Sequence, residues 1–117
     1  MIQVKRVYSA PSRTDGVRIL VDRVWPRGVT KARARVDAWM KEVAPSTPLR
    51  KWFGHDPAKW RGFRERYRRE LSESGALTSL TNLVQRSGRE RITLVYSATD
   101  EQHNQAVALK GFLSDRS

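Results

Sequence analysis

Cysteine is absent from this 117-residue chain. That excludes disulfides, thiolate-held metals and a cysteine nucleophile, and it fits a chain kept in the reducing cytoplasm. Long apolar runs are missing too: Ile19–Val21 and Leu94–Tyr96 are hemmed in by polar residues, far short of the about 18 residues of a membrane span. Met1–Tyr8 carries Lys5 and Arg6 with no apolar stretch behind them, so no secretory leader is expected. The glycines never form G-x-G-x-x-G and no G-K-[S/T] occurs, which removes the common phosphate-loop signatures. His55 and His103 share no ligand spacing with carboxylates, so neither a metal nor a cofactor is expected. No two carboxylates stand as a recognisable acid–base couple. Signatures of a helix-turn-helix, a zinc finger or an RNA-binding sheet are lacking as well.

Acidic residues are scarce, 12 against 23 Lys plus Arg, for a formal charge of +11. The excess is not spread evenly. Residues 1–70 hold 18 basic and 7 acidic side chains, whereas residues 71–117 hold 5 of each. Seventeen of the basic residues are Arg, the side chain that meets phosphate or carboxylate through a planar, bidentate fork. An anionic partner is one reading: a small phosphorylated or carboxylated molecule, a nucleotide or a nucleic acid. A solvated, Arg-rich surface is the other. With 38% hydrophobic residues, four Trp and three Tyr, the chain is too rich in core-formers to be disordered, and its length suits one domain, residues 1–117.

The elements alternate. Strands are expected at Ile2–Tyr8, Val17–Asp22, briefly at Val36–Met40, and at Arg91–Ser97. The second and fourth are apolar enough for burial on both faces. Asp15-Gly16 marks a turn between the first two strands, and the short connection there suits a hairpin better than a crossover. Val29–Arg35 reads as a short helical turn and Pro48–Phe53 as a short helix capped by Ser46 or Thr47 and ended by Gly54. Asp56-Pro57 is an N-cap followed by Pro at the first helical position. The helix it opens is expected to reach about Ser72, with Trp60, Phe63, Tyr67 and Leu71 on one face. Another helix covers Leu77–Arg86. Thr99-x-x-Gln102 is a capping-box pattern that predicts a last helix over Asp100–Leu113. Strands interleaved with helices specify an α/β fold: one compact domain with a mainly parallel sheet of about four strands, covered by helices.

In open α/β sheets ligands bind beyond the carboxyl ends of the strands. Here those ends are Asp22-Arg23-Val24-Trp25-Pro26-Arg27-Gly28 and Ser97-Ala98-Thr99-Asp100, the latter running into a helix start whose N–H groups attract anions. A third contributor is Arg50-Lys51-Trp52-Phe53-Gly54-His55-Asp56. The ligand-binding candidates are Arg23, Arg27 and Arg50 as cations, Trp25 or Tyr96 as a surface for a base, and Ser97 and Asn104 as polar contacts. Each also has a plainer role: Asp22 pairing with an Arg, Trp25 and Trp52 packing at the core or its rim, His55 capping at the surface, Asn104 facing solvent. On the long helix Arg61, Arg64 and Arg68 form a basic stripe that Arg61–Glu65 and Glu65–Arg69 pairs partly neutralise.

The motifs V-D-R-x-W-P-R-G (Val21–Gly28), then Leu49–Asp56 with W-F-x-H-D, Trp60, Phe63 and Tyr67-x-x-Glu70-Leu71, and T-L-V-Y-S-A (Thr93–Ala98) with Asn104 and Ala106 span nearly the whole chain. In these the sequence resembles the YeaO-like branch of the "domain of unknown function 488" family. The resemblance implies a compact bacterial-type α/β domain and marks Asp22, Arg23, Trp25, Arg27, Arg50, His55, Tyr96 and Asn104 as motif positions. It implies no particular reaction. Other branches carry cysteines in the loop after the last strand; here that loop, Ser97–Gln105, has none.

Three functions follow as expectations. First comes a metal-free domain binding a phosphate-bearing ligand, nucleotide or nucleic acid, at the strand-end edge. The second is a small enzyme acting on an anionic substrate, with Asp22 or His55 transferring a proton. The third is a protein–protein module presenting exposed aromatics.

Overall fold

Four strands order the chain: β1 (Ile2–Arg6), β2 (Val17–Leu20), β3 (Ala38–Trp39) and β4 (Ile92–Tyr96). Five helices, α1 (Lys31–Ala34), α2 (Thr47–Phe53), α3 (Trp60–Ser74), α4 (Ala76–Arg86) and α5 (Gln105–Ser114), fill the intervals. These are the elements of a computed structural model that describes residues 1–114. The sheet runs β1-β4-β2-β3 and every pairing is parallel. The fold is α/β.

The expected hairpin between the first two strands does not form. β4 inserts between β1 and β2, placing Val4, Leu94 and Ile19 in one row across the sheet. The 7–16 connection is therefore a crossover. Its length is near the lower limit for one, and it closes because it is anchored along its path. Ser12 caps a 3-10 turn at Arg13–Asp15 in a full capping box, and Asp15 is held by Lys5 of β1 and Arg18 of β2. Gly16 then turns the chain at φ +66°, where an added Cβ would lie 2.0 Å from the Arg91 carbonyl oxygen. Only glycine fits between β2 and the start of β4.

Period-two alternation divides the sheet residues between two buried faces. Ile19, Ile92, Leu94 and Tyr96 pack with Phe53, Phe63, Tyr67, Leu71, Leu80, Leu109 and Phe112 in the main core. Leu20 and Val95 point the other way, into a smaller cluster with Val7, Ala34, Trp25 and Trp39. β4 lies in the middle and is buried along its whole length, as a near-continuous apolar run requires.

Helix ends largely follow their local chemistry. The Ser46 hydroxyl caps α2 by accepting from Leu49 N–H, and Gly54 closes it in the left-handed conformation. Asp56 accepts from Ala58 N–H as expected, but the turn it opens, Pro57–Lys59, is 3-10 before α3 begins at Trp60. The last helix departs further. It starts at Gln105, not Asp100, and the cap is Asn104, whose Oδ1 accepts from Val107 N–H. The Thr99–Gln102 box does not form because Asp100 intervenes, accepting from the N–H groups of both Gln102 and His103. Among the described residues no helix is long and apolar enough to cross a membrane.

Candidate functional site

β2 and β4 are neighbours, but the chain leaves their carboxyl ends in opposite directions. After β2 it heads toward β3, and after β4 it goes to α5, which packs on β1 and β4. Such a parting opens a crevice between the two loops. The cavity here measures about 490 Å³. Asp22 and Arg23 line it from the β2 end, Ser97 and Ala98 from the β4 end, Arg50, Lys51 and His55 from α2 and its exit, and Gln105 from the start of α5.

Asp22 is the floor's one acid and is 7% exposed. Gln105 Nε2 donates to its Oδ1 at 2.6 Å. Burial pushes the carboxyl above the usual aspartate range, while hydrogen bonds from the Ser97 hydroxyl and N–H and from Gln105, with the charge of Arg50, pull the other way. The Asp22 carbonyl oxygen meanwhile accepts from Trp39 Nε1 at 2.7 Å. One residue thus ties together the exits of β2 and β4, the start of α5 and β3.

The walls are held by arginines. Arg23 Nη2 donates to the carbonyls of Ala44 and Pro45 at 3.3 and 3.1 Å, fixing the segment that leads into α2. Arg6 donates to the carbonyls of Ala98 and Ser97 at 2.9 and 3.2 Å and pins the β4 exit to β1. On the far wall Ser46 is held through both its N–H and its hydroxyl by Glu70 of α3. The Tyr67 hydroxyl donates to the Val43 carbonyl; full burial, reinforced by the charge of Glu70, raises its pKa well above that of an ordinary tyrosine. His55 follows Gly54 in a second left-handed conformation, φ +57°, and its ring lies 5.8 Å from that of Phe53.

Of the residues singled out from sequence, Asp22, Arg23, Arg50, His55, Ser97 and Asn104 meet at this crevice. Trp25, Arg27 and Tyr96 do not line it. Trp25 packs edge-on against Trp39 in the smaller cluster, 5.4 Å between ring centroids, and donates to the Val29 carbonyl. Arg27 is exposed, and its carbonyl accepts from the Tyr8 hydroxyl. Tyr96 is 2% exposed, so its ring offers no face to a base. Burial raises its pKa, an effect Glu101 reinforces and Asn104 opposes. Asn104 faces neither the ligand space nor solvent as a free amide: Oδ1 caps α5 and Nδ2 donates to the Asp100 carbonyl. Lys51 lines the crevice as part of the third contributing segment, whereas Gln105 and the wall-holding Arg6 were not among the expected site residues. Gln105 carried no signal because it was read as helix interior; Arg6 is a strand residue whose partners lie about 90 positions away.

Residues 1–117 match the family described as the inactive DUF488-N3 subclade. An uncharacterised protein of Mycobacterium tuberculosis is 40% identical over 115 residues, covering 98% of this chain and 95% of that one. The uncharacterised YeaO of Escherichia coli is 41% identical over 112 residues, 96% of each. No solved structure matches. With the family match running from the first residue to the last, the chain belongs to the inactive DUF488-N3 subclade of the DUF488 family.

Proposed function

We propose that the crevice binds a small phosphate-bearing ligand of nucleotide size and that the domain acts through binding rather than turnover. One observation carries this reading: Arg23, Arg50, Lys51 and His55 converge on one cavity of about 490 Å³ at the parting of β2 and β4. None of these four forms an ion pair with a carboxylate among the described residues. Arginine forks and a lysine ammonium converging on one cleft suit a phosphate dianion. The cysteine-free loop after β4 and the family's description as inactive both favour binding over catalysis. Among the described residues, the large hydrophobics standing exposed are only Met1, Tyr8 and Val24, too few for the apolar patch of a protein–protein module.

A second reading keeps a specific observation. Asp22 is a buried carboxyl with a raised pKa beside Arg50, the type of group that transfers protons. Its environment argues against that role, because Gln105 and Ser97 already occupy its oxygens.

Isothermal titration calorimetry with nucleoside monophosphates and inorganic phosphate tests the proposal. Arg50→Gln is expected to weaken binding roughly tenfold or more, as the loss of a charged hydrogen bond of about 1.5–3 kcal/mol dictates. Equal affinity in wild type and variant overturns it, and substrate consumption at catalytic protein concentrations would establish the second reading instead.

A further inference from the structure

α2 turns Arg50 and Lys51 toward the crevice, and its next residue, Trp52, lies against α3. Trp52 sits over Gly62, where an added Cβ would come within 2.9 Å of Cη2. A glycine inside a helix costs about 0.5–1 kcal/mol relative to alanine, so the close seat of this indole is obtained at a local loss of helix stability. The ring then carries two cations. The Arg66 guanidinium lies over it, 4.0 Å from the centroid, and Lys59 Nζ is 5.2 Å away. Lys59 is additionally positioned by its bond to the Trp52 carbonyl at 2.9 Å.

Two other basic residues of α3 are engaged elsewhere. Arg61 has Glu65 at 3.5 Å, and Arg68 lies over Phe112 on the side of α5. Neither Lys59 nor Arg66 has a carboxylate partner among the described residues, and Arg66 is exposed with no hydrogen bond there. A guanidinium held over an indole and without a carboxylate partner keeps its N–H donors for an anion, at little further entropic cost.

We propose that this Trp52–Lys59–Arg66 platform binds the phosphodiester backbone of a single-stranded nucleic acid, of which the crevice takes one nucleotide unit; the proposal rests on the phosphate reading of the crevice given above. Charge complementarity supports it: residues 1–70, which supply the cations of both features, carry the entire +11. Lys51, which lines the crevice, and Trp52, which carries the platform, are consecutive residues of α2, so one helix supports both features. A single strand is favoured over a duplex because a cavity of about 490 Å³ admits one nucleotide, and a paired, stacked base would first have to be extruded.

The test is fluorescence anisotropy of a labelled oligo-dT of about 12 nucleotides across a salt series, beside calorimetry with thymidine monophosphate. Wild type is expected to bind the oligonucleotide more tightly than the mononucleotide. Arg66→Gln should weaken only the oligonucleotide, by roughly tenfold at low salt. The Lys59→Gln/Arg66→Gln double variant should flatten the log K against log salt slope by about 1.4 relative to wild type, at about 0.7 for each of the two lost phosphate contacts on single strands. Arg66→Lys, which keeps the charge and loses the fork, should fall between. Unchanged oligonucleotide binding and slope in these variants, with Arg50→Gln weakening both ligands, would overturn the platform and leave the crevice reading standing. No binding of either ligand to wild type would overturn both. Equal or tighter binding of the corresponding duplex, or equal competition by polyglutamate, would overturn the single-strand assignment.

Discussion

Two aspartates are buried on the same sheet, and their surroundings differ in kind. Asp15 lies near the strand starts, 1% exposed, between cations: Arg18 Nη1 at 2.6 Å, Lys5 Nζ at 3.1 Å, with Gln3 and the Ser12 N–H completing its shell. Asp22 lies at the strand ends, 7% exposed, and its direct donors are neutral, Gln105 and Ser97. Burial raises the pKa of both, but at Asp15 the Ser12 N–H, Lys5 and Arg18 outweigh it and the net shift is downward, whereas at Asp22 burial prevails. The lesson concerns where cations go. At the strand starts they are consumed in closing a short crossover. At the strand ends Arg50 and Lys51 are left around an acid they do not pair with, and that is the condition for receiving an anion from outside.

The comparison breaks first at Asp15. Asp15→Ala leaves Arg18 buried without its counter-charge and is expected to cost about 3–5 kcal/mol, the range for breaking a buried ion pair from one side. Denaturant unfolding measures it. A loss below about 1 kcal/mol would mean that the crossover is held by packing and not by this pair.

Asp22→Ala should cost less, about 1–3 kcal/mol, because it strands neutral donors rather than a cation. Asp22→Asn keeps an acceptor for Gln105 and should stay within about 1 kcal/mol of wild type. If Asp22→Asn were as damaging as Asp15→Ala, the two sites would not differ as described.

The smallest effect sharpens the contrast by its sign. The folded-state pKa of Asp15 lies below its unfolded value near 3.9, so its contribution is present above that value and is lost as pH falls through the depressed folded pKa. For Asp22 the folded pKa lies above the unfolded value. Its contribution is present below pH about 3.9 and is lost as pH rises through the raised folded pKa. The stability of wild type relative to Asp22→Asn should therefore be flat above the raised pKa and rise on acidification between that pKa and about pH 3.9. Parallel curves across that window would show that Asp22 titrates as it does in the unfolded chain.

Much of this architecture is legible in the residues. The apolar runs of β2 and β4, the Ser46 and Asp56 caps, Gly54, and the aromatic stripe of α3 are local patterns, and they produce the elements they specify. The strand-end rule needs only parallel strands, so it brought Asp22 and Ser97 to one crevice, with Arg50 and His55 arriving from the turn beyond. Less legible was everything set by the path of the chain after a strand ends. Trp25 and Arg27 follow Asp22 closely in sequence, yet the loop carries them to the smaller cluster and to the Tyr8 side.

The sequence by itself determined the alternation of strands and helices, the placement of the positive charge in residues 1–70 and the absence of thiol chemistry, because each depends on residue type and local spacing alone. Tertiary structure decided the rest. β4 takes the interior of the sheet, between β1 and β2, where core clusters bury both of its apolar faces, a placement no local turn signal records. Asn104 rather than Thr99 caps the last helix because Asp100 engages the intervening N–H groups. The sorting of arginines into wall-holders such as Arg6 and unpaired cations such as Arg50 and Arg66 followed from which carbonyls and carboxylates the packed fold brought within reach.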